Sequence, residues 1–238
     1  MTSPIILTTT GSQGIADVVA ELERAFGHRD GFQSGPMPVK NATLQGIIVA
    51  HVLHLDVPIR GVLMIPPNSM EVEAIAAELT AGAAEYRVPV DFLAAAMCAE
   101  SRFSLACRNG HYLDTNPTQT PEGTDWGPGQ VPGATVVALP GMAALTWPQR
   151  AEKLADPHYS VPLFCATYAE LLTAADALVK GSEVPQSLNR YALAAGAYER
   201  LGLPDPGAAA SGTFARAVAC FCNHFSDALG HPRIMPEV

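Results

Sequence analysis

The stretch Val88 to Gly110, VPVDFLAAAMCAESRFSLACRNG, decides the reading of this chain. Every residue from Phe92 to Ala99 is apolar, and Glu100 then follows at the position that continues the stripe of Leu93, Ala96 and Met97 at helical spacing. Asp91 is placed to cap this segment, so a helix is predicted over Phe92 to Arg102. Such a helix aims the Glu100 carboxyl toward the apolar side. An ionised carboxylate there is costly unless it has partners, and its pKa rises toward the range in which it can donate a proton near neutrality. General acid catalysis needs that property. The competing reading is a helix that simply ends in solvent at Glu100.

On the N-terminal side, Ser69 is expected to cap a helix through about Tyr86, with Glu71 and Glu73 in its first turn, where the helix dipole favours negative charge. Before it, Pro66-Pro67-Asn68 reads as a boundary. Residues Ala42 to Pro66 are β-branched and apolar with breaks at Pro58 and Gly61, which predicts two or three short strands. Farther back, Ile15 to Phe26 carries an apolar face at helical spacing and is stopped by Gly27. Toward the C-terminus, Ala106 to Gly133 is polar and rich in turn residues, long enough for a functional loop. Three helices are expected after it, near Ser160 to Val179, Pro185 to Leu201 and Thr213 to Leu229. The predicted class is α+β: a mainly α-helical domain over residues 68–238, with a small mixed α/β N-terminal module over residues 1–67.

Composition narrows the function classes. With 48% hydrophobic and 16% charged residues in 238, the chain is long and apolar enough to bury a sizeable core. Its net charge of -9 and the lack of a basic run argue against nucleic acid as a partner. No apolar run of membrane-spanning length and no secretory leader are read at the N-terminus. The cysteines, Cys98, Cys107, Cys165, Cys220 and Cys222, read mostly as small buried hydrophobes, with a Cys98–Cys107 bridge as the one pairing considered. Cys98 lies inside an apolar helix, where a thiol tends to be inert. No G-x-S-x-G, P-loop or GxGxxG is present. The histidines, among them His51, His54 and His111, are too scattered to form a metal set, so neither metal nor cofactor is expected.

The segment around Glu100 resembles the first catalytic segment of the lysozyme-like superfamily, in which a helix carries a Glu-Ser pair followed by an aromatic; Glu100, Ser101 and Phe103 match. Downstream, Thr124-Asp125-Trp126-Gly127-Pro128-Gly129-Gln130 resembles the Thr-Asp-aromatic-Gly-x-x-Gln stretch of c-type lysozymes and bacterial and phage relatives. Against the Gly-Leu-Met-Gln of the lytic transglycosylases, Gly127 and Gln130 match and Pro128-Gly129 depart. Asp156-Pro157 and the helix behind it are similar to the next transglycosylase segment. Tyr191 to Glu199 is similar to their Ala-rich helix ending in Tyr-Asn, with Tyr198 at the tyrosine and Glu199 in place of the asparagine. The resemblance runs from about Leu79 to Phe225.

The resemblance implies a peptidoglycan-degrading glycosidase, a muramidase or a lytic transglycosylase, acting on the β-1,4 bond between N-acetylmuramic acid and N-acetylglucosamine. Glu100 is then the general acid and Asp125 the nucleophile or cation stabiliser, with Asp114 and Glu122 as rival second carboxylates. A turn aspartate that bonds its own backbone is the other reading of Asp125. Ser101, Gln130, Tyr198 and Trp126 are expected at the substrate, as is Trp147 for sugar stacking; each has a packing role as its alternative. The expected partners are peptidoglycan glycan strands. With no leader read, the protein is expected to be made in the cytoplasm and delivered to the wall, as a phage virion protein or by a secretion machine docking through residues 1–67. In the alternative reading the chain is a structural virion or secretion component with an auxiliary or inactive lysozyme-like domain.

Overall fold

The computed structural model describes residues 42–52, 66–105, 121–123, 125–181, 189–200 and 206–236. The predicted helix at Ile15 to Phe26, His54, Cys107, His111, Asp114 and Thr124 lie outside them. The described residues are mainly helical, with one two-stranded antiparallel hairpin.

The first element corrects the strand reading. Leu44–Val52 is a helix, α1, opened by Thr43, whose Oγ1 accepts from the Gly46 N–H at 3.1 Å. Its β-branched residues favour strand locally, but Ile47, Ile48 and His51 fall on the side that meets the main core, and tertiary packing outweighs propensity. The Ala42 N–H donates to the Ala228 carbonyl, so this segment is bonded into the helical core. Residues 53–65, the remainder of the predicted strands, lie outside the described residues.

Helix α2, Ser69–Tyr86, begins one residue earlier than expected. Asn68, not Ser69, is the cap: its side chain accepts from the Glu71 N–H at 3.0 Å, and Glu71 Oε2 accepts from the Asn68 N–H at 2.7 Å. Val72, Ile75 and Leu79 bury one face. Helix α3, Val90–Ser101, follows directly and is the centre of the molecule. Its residues Phe92 to Cys98 are all buried, because α2 lies on one side and α9, Thr213–Leu229, packs extensively along another. The cap at Asp91 is also corrected. Pro89 is the N-cap, and Asp91 sits in the first turn, 1% exposed. Its carboxylate is satisfied: Oδ1 accepts from the Phe92 N–H at 3.1 Å, Oδ2 accepts from the Ser226 hydroxyl at 2.5 Å, and the His231 ring lies at 3.8 Å. Placed in the first turn of α3, this buried carboxyl ties α3 to α9.

Beyond the 3-10 turn Pro121–Gly123, strand β1, Asp125–Trp126, pairs with β2, Val131–Pro132, in the register Asp125 to Pro132 and Trp126 to Val131. A short helix α4, Gly133–Val136, and α5, Trp147–Ala155, then close over a second apolar cluster built on Leu105, Trp126, Met142 and Leu154. Arg150 holds the connection by donating to the carbonyls of Met142 and Ala143. The long helix α6, Pro157–Lys180, is capped by Asp156, and Pro157 takes the first position, where a missing N–H costs nothing. By length and composition α6 could cross a membrane, yet its Val161, Phe164, Cys165, Tyr168 and Leu172 are part of the core. Helices α7, Arg190–Arg200, and α8, Pro206–Ser211, complete the packing, α7 against α6 and α9.

Because Leu93 is fully buried within α3, Leu93→Ala is expected to cost about 2–5 kcal/mol, read as a lowered denaturant midpoint at unchanged slope.

Candidate active site

Glu100 lies in the last turn of α3, where the fully buried run gives way to a half-buried position. The helix stops immediately behind it. Arg102 and Phe103 both adopt left-handed backbone, at φ 52° and φ 63°. Consecutive non-glycine residues in this region are strained and persist only where packing fixes them. Here Phe103 is fully buried, and the Arg102 guanidinium lies 4.4 Å from the centre of the Phe221 ring.

The hairpin turn Gly127 to Gln130 packs against this helix end. Ser101, one residue past Glu100 and 3% exposed, donates its hydroxyl to the Pro128 carbonyl at 2.7 Å. From α7, the Tyr198 hydroxyl donates to the Gly129 carbonyl next along the turn. Two hydroxyls from different helices therefore fix neighbouring carbonyls of one turn. The turn approaches so closely that its glycines are required. Gly127 has φ 72°, and a Cβ there would lie 2.7 Å from the Leu154 carbonyl oxygen. A Cβ on Gly129 would lie 2.9 Å from the Phe164 ring. The Pro128-Gly129 pair, which departs from the transglycosylase pattern, thus packs through smallness and backbone acceptors rather than through apolar side chains.

Asp125 stands in β1 at the base of the same turn. Part of its surface is open, but burial of the carboxyl raises its pKa above the ordinary 3.8. Tyr198 connects the two acids electrostatically. Burial holds its phenol well above the ordinary pKa, and the charges of Glu100 and of Asp125 both push it further in the same direction. One hydroxyl thus feels both carboxylates, one from a helix end and one from a strand. Tyr198 stays protonated and remains a donor to the turn.

The other expected residues separate into those that build the turn and those that pack beneath it. Gln130 donates its side-chain amide to the Gly127 carbonyl at 2.9 Å, at φ 50°, and so closes the turn on itself. Trp126 is corrected as a sugar platform. It is 1% exposed, its Nε1 donates to the Pro121 carbonyl, and its ring stacks on Trp147 at 5.4 Å. Trp147 is half-buried between Trp126 and the Arg150 guanidinium. Glu122 is exposed in the 3-10 turn before β1, while Asp114 and the Glu199 side chain fall outside the described residues. Cys98 is a free, fully buried thiol that burial pushes up to about 12, against a smaller lowering influence of Arg102; it is unsuited to nucleophilic chemistry. Among the described residues no cluster of His, Cys, Asp and Glu suits a metal ion.

Tyr168 was missed by the sequence reading. It is fully buried on α6, with its ring 4.8 Å from that of Tyr198 at an interplanar angle of 12°, and it also meets Phe92 and Phe164. The available signal was the pair Phe164 and Tyr168, one helical turn apart on the apolar face of α6.

No family model, no curated protein and no solved structure matches this chain.

Ser101→Ala removes the donor to a buried carbonyl and is expected to cost about 1–3 kcal/mol in chemical denaturation. For Asp125, a carboxyl pKa raised on folding means that the neutral form is favoured in the fold. The associated stability is full below the unfolded pKa and falls as pH rises through the folded one. Asp125→Asn is therefore expected to raise Tm at pH 7, with the gain disappearing in scans at low pH, where the wild-type side chain is already protonated.

Proposed function

We propose that residues 68–238 form a lysozyme-like domain that cleaves the β-1,4 bond between N-acetylmuramic acid and N-acetylglucosamine in peptidoglycan, with Glu100 as general acid and Asp125 as the second carboxylate. The observation that carries this reading is the turn that follows Asp125, fixed by the Ser101 hydroxyl to the end of the helix that bears Glu100 and by the Tyr198 hydroxyl to α7. Two acids in unlike settings divide the work that glycoside cleavage requires. Glu100, at the end of an apolar helix, gives its proton to the glycosidic oxygen as the bond from that oxygen to the anomeric carbon breaks. Asp125, at the open side of the hairpin, stabilises the positive charge that develops on the sugar. The Glu100 carboxylate then takes a proton from an incoming water, which yields a reducing end. A lytic transglycosylase would instead deprotonate the sugar's own 6-hydroxyl and release a 1,6-anhydro end without water. Asp125 favours hydrolysis, because the single-glutamate route has no need of it.

Ser101 and Tyr198 support the reading as positioning residues, since they fix the turn that follows Asp125 against the helix that carries Glu100. Gln130 keeps that turn closed. Helix α1 packs into the core through Ile47 and Ile48, so these residues offer no strand edge to a partner.

Purified protein is expected to clear peptidoglycan in a zymogram. Glu100→Gln should lower the rate about a hundred- to ten-thousand-fold with an unchanged circular dichroism spectrum. Mass spectrometry of the products should show reducing ends. Anhydro ends would replace hydrolysis by the lyase route, and no clearing by folded wild type would overturn the enzymatic reading.

A further inference from the structure

Among the described residues, four that are not glycine adopt left-handed backbone: Arg87, Arg102, Phe103 and Gln130. Arg87 ends α2 as an exposed residue, before α3 begins. The other three flank a single contact, the hydrogen bond from Ser101 at the end of α3 to the Pro128 carbonyl in the turn after Asp125. Left-handed backbone is costly for a residue with a Cβ, and glycine, the usual solution behind a helix, takes it freely. A side chain kept at such a position has to offset the strain through what it touches. Gln130 does so by closing the turn on the Gly127 carbonyl, and Phe103 by filling the main core. Arg102 reaches across to another helix. Its guanidinium lies 4.4 Å from the centre of the Phe221 ring on α9, and its Nη1 donates to Cys98 Sγ at 3.8 Å, one turn back in α3. Phe221 is itself held in place, because the rings of His51 and Phe225 meet it at 5.7 Å and 6.2 Å. The backbone is closed at the same point: the Arg102 N–H donates to the Cys98 carbonyl and the Ser104 N–H to the Ser101 carbonyl, both at 2.9 Å.

We propose that Arg102 is a positioning residue: clamped on Phe221, it holds the left-handed stop of α3 and so keeps Glu100 and Ser101 in register with the turn that follows Asp125. This rests on the assignment of Glu100 as the general acid. Glu100 stands one residue before the Ser101 contact and two before the clamp, so the helix end that bears it is fixed to the hairpin through Ser101 and to α9 through Arg102. A proton reaches the glycosidic oxygen only from a carboxyl held within hydrogen-bond reach, and a misplacement of about 1 Å can cost about a hundredfold in rate. Glycine at position 102 would suit the backbone and lose the clamp, which separates the positioning role from the conformational one.

The test is Arg102→Gly in the full chain, beside Phe221→Leu, which breaks the same stacking from α9, and Arg87→Gly, which relieves a comparable backbone at the other end of α3. Cleavage of solubilised peptidoglycan, Tm and hydrogen exchange of the Ser104 amide by NMR are measured for each. Arg87→Gly is expected to raise Tm by about 2 °C and to keep wild-type activity. Arg102→Gly should stay within about 2 °C of the wild-type Tm, because relieved strain and lost stacking oppose each other. Its kcat should nevertheless fall about ten- to a hundredfold at unchanged KM, and its Ser104 amide should exchange about tenfold faster. Phe221→Leu should lower kcat in the same way, and the double variant should add little to either single one. Wild-type kcat and wild-type Ser104 exchange in Arg102→Gly would overturn the inference. If the Ser104 amide loses protection in the variant while folded wild type cleaves no peptidoglycan, the clamp on the end of α3 stands and the glycosidase reading is what fails.

Discussion

A helix that is apolar on every face has to be enclosed on every face, and α3 imposes that condition on the rest of the molecule. Phe92 to Cys98 leave no solvent side, so α2 and α9 are recruited around them, and α1 adds Ile47 and Ile48 to the same core. Both ends of α3 are polar and each is settled differently. At the start, Asp91 is buried and satisfied by Ser226 and by its own helix terminus, which gives it a structural role. At the finish, Glu100 is half-buried, and the chain turns away through two left-handed residues before it can continue the helix. The same helix thus buries one acid at its start for cohesion and leaves another half-buried at its finish.

The hairpin is precise for a reason that lies outside it. Two residues per strand cannot hold a turn in water. The turn is fixed because its carbonyls at Pro128 and Gly129 meet hydroxyls from α3 and α7, and because its glycines permit contact with Leu154 and Phe164. Trp126 and Trp147, stacked beneath it, anchor the hairpin to a second apolar cluster. The stacked pair supports the turn from below, while its smallest residues let it approach Leu154 and Phe164.

The inward helix with its terminal acid was legible in the sequence, since an unbroken apolar run followed by Glu leaves few alternatives. Thr213–Leu229 was also legible, because its apolar positions recur at helical spacing and Gly230 follows in left-handed backbone. Leu44–Val52 was not. Ile47, Ile48 and Val49 carry local strand preference, and only contact with α2 and α9 turns the segment into a helix. The cap positions shifted by one or two residues because Asn68 and Pro89 were competing with Ser69 and Asp91 for the same helix starts.

By itself the sequence determined which acids stand out, Glu100 at the end of an oily helix and Asp125 before a glycine-bearing turn, because one-dimensional pattern records polarity and spacing. The tertiary structure alone decided that Tyr198 feels both acids, that Ser101 and Tyr198 hold one turn, and that Tyr168 lies buried against Tyr198 with no acceptor among the described residues for its hydroxyl. Those relations join residues far apart in the chain through burial and directional hydrogen bonds, and no local pattern encodes which distant partner a side chain will meet.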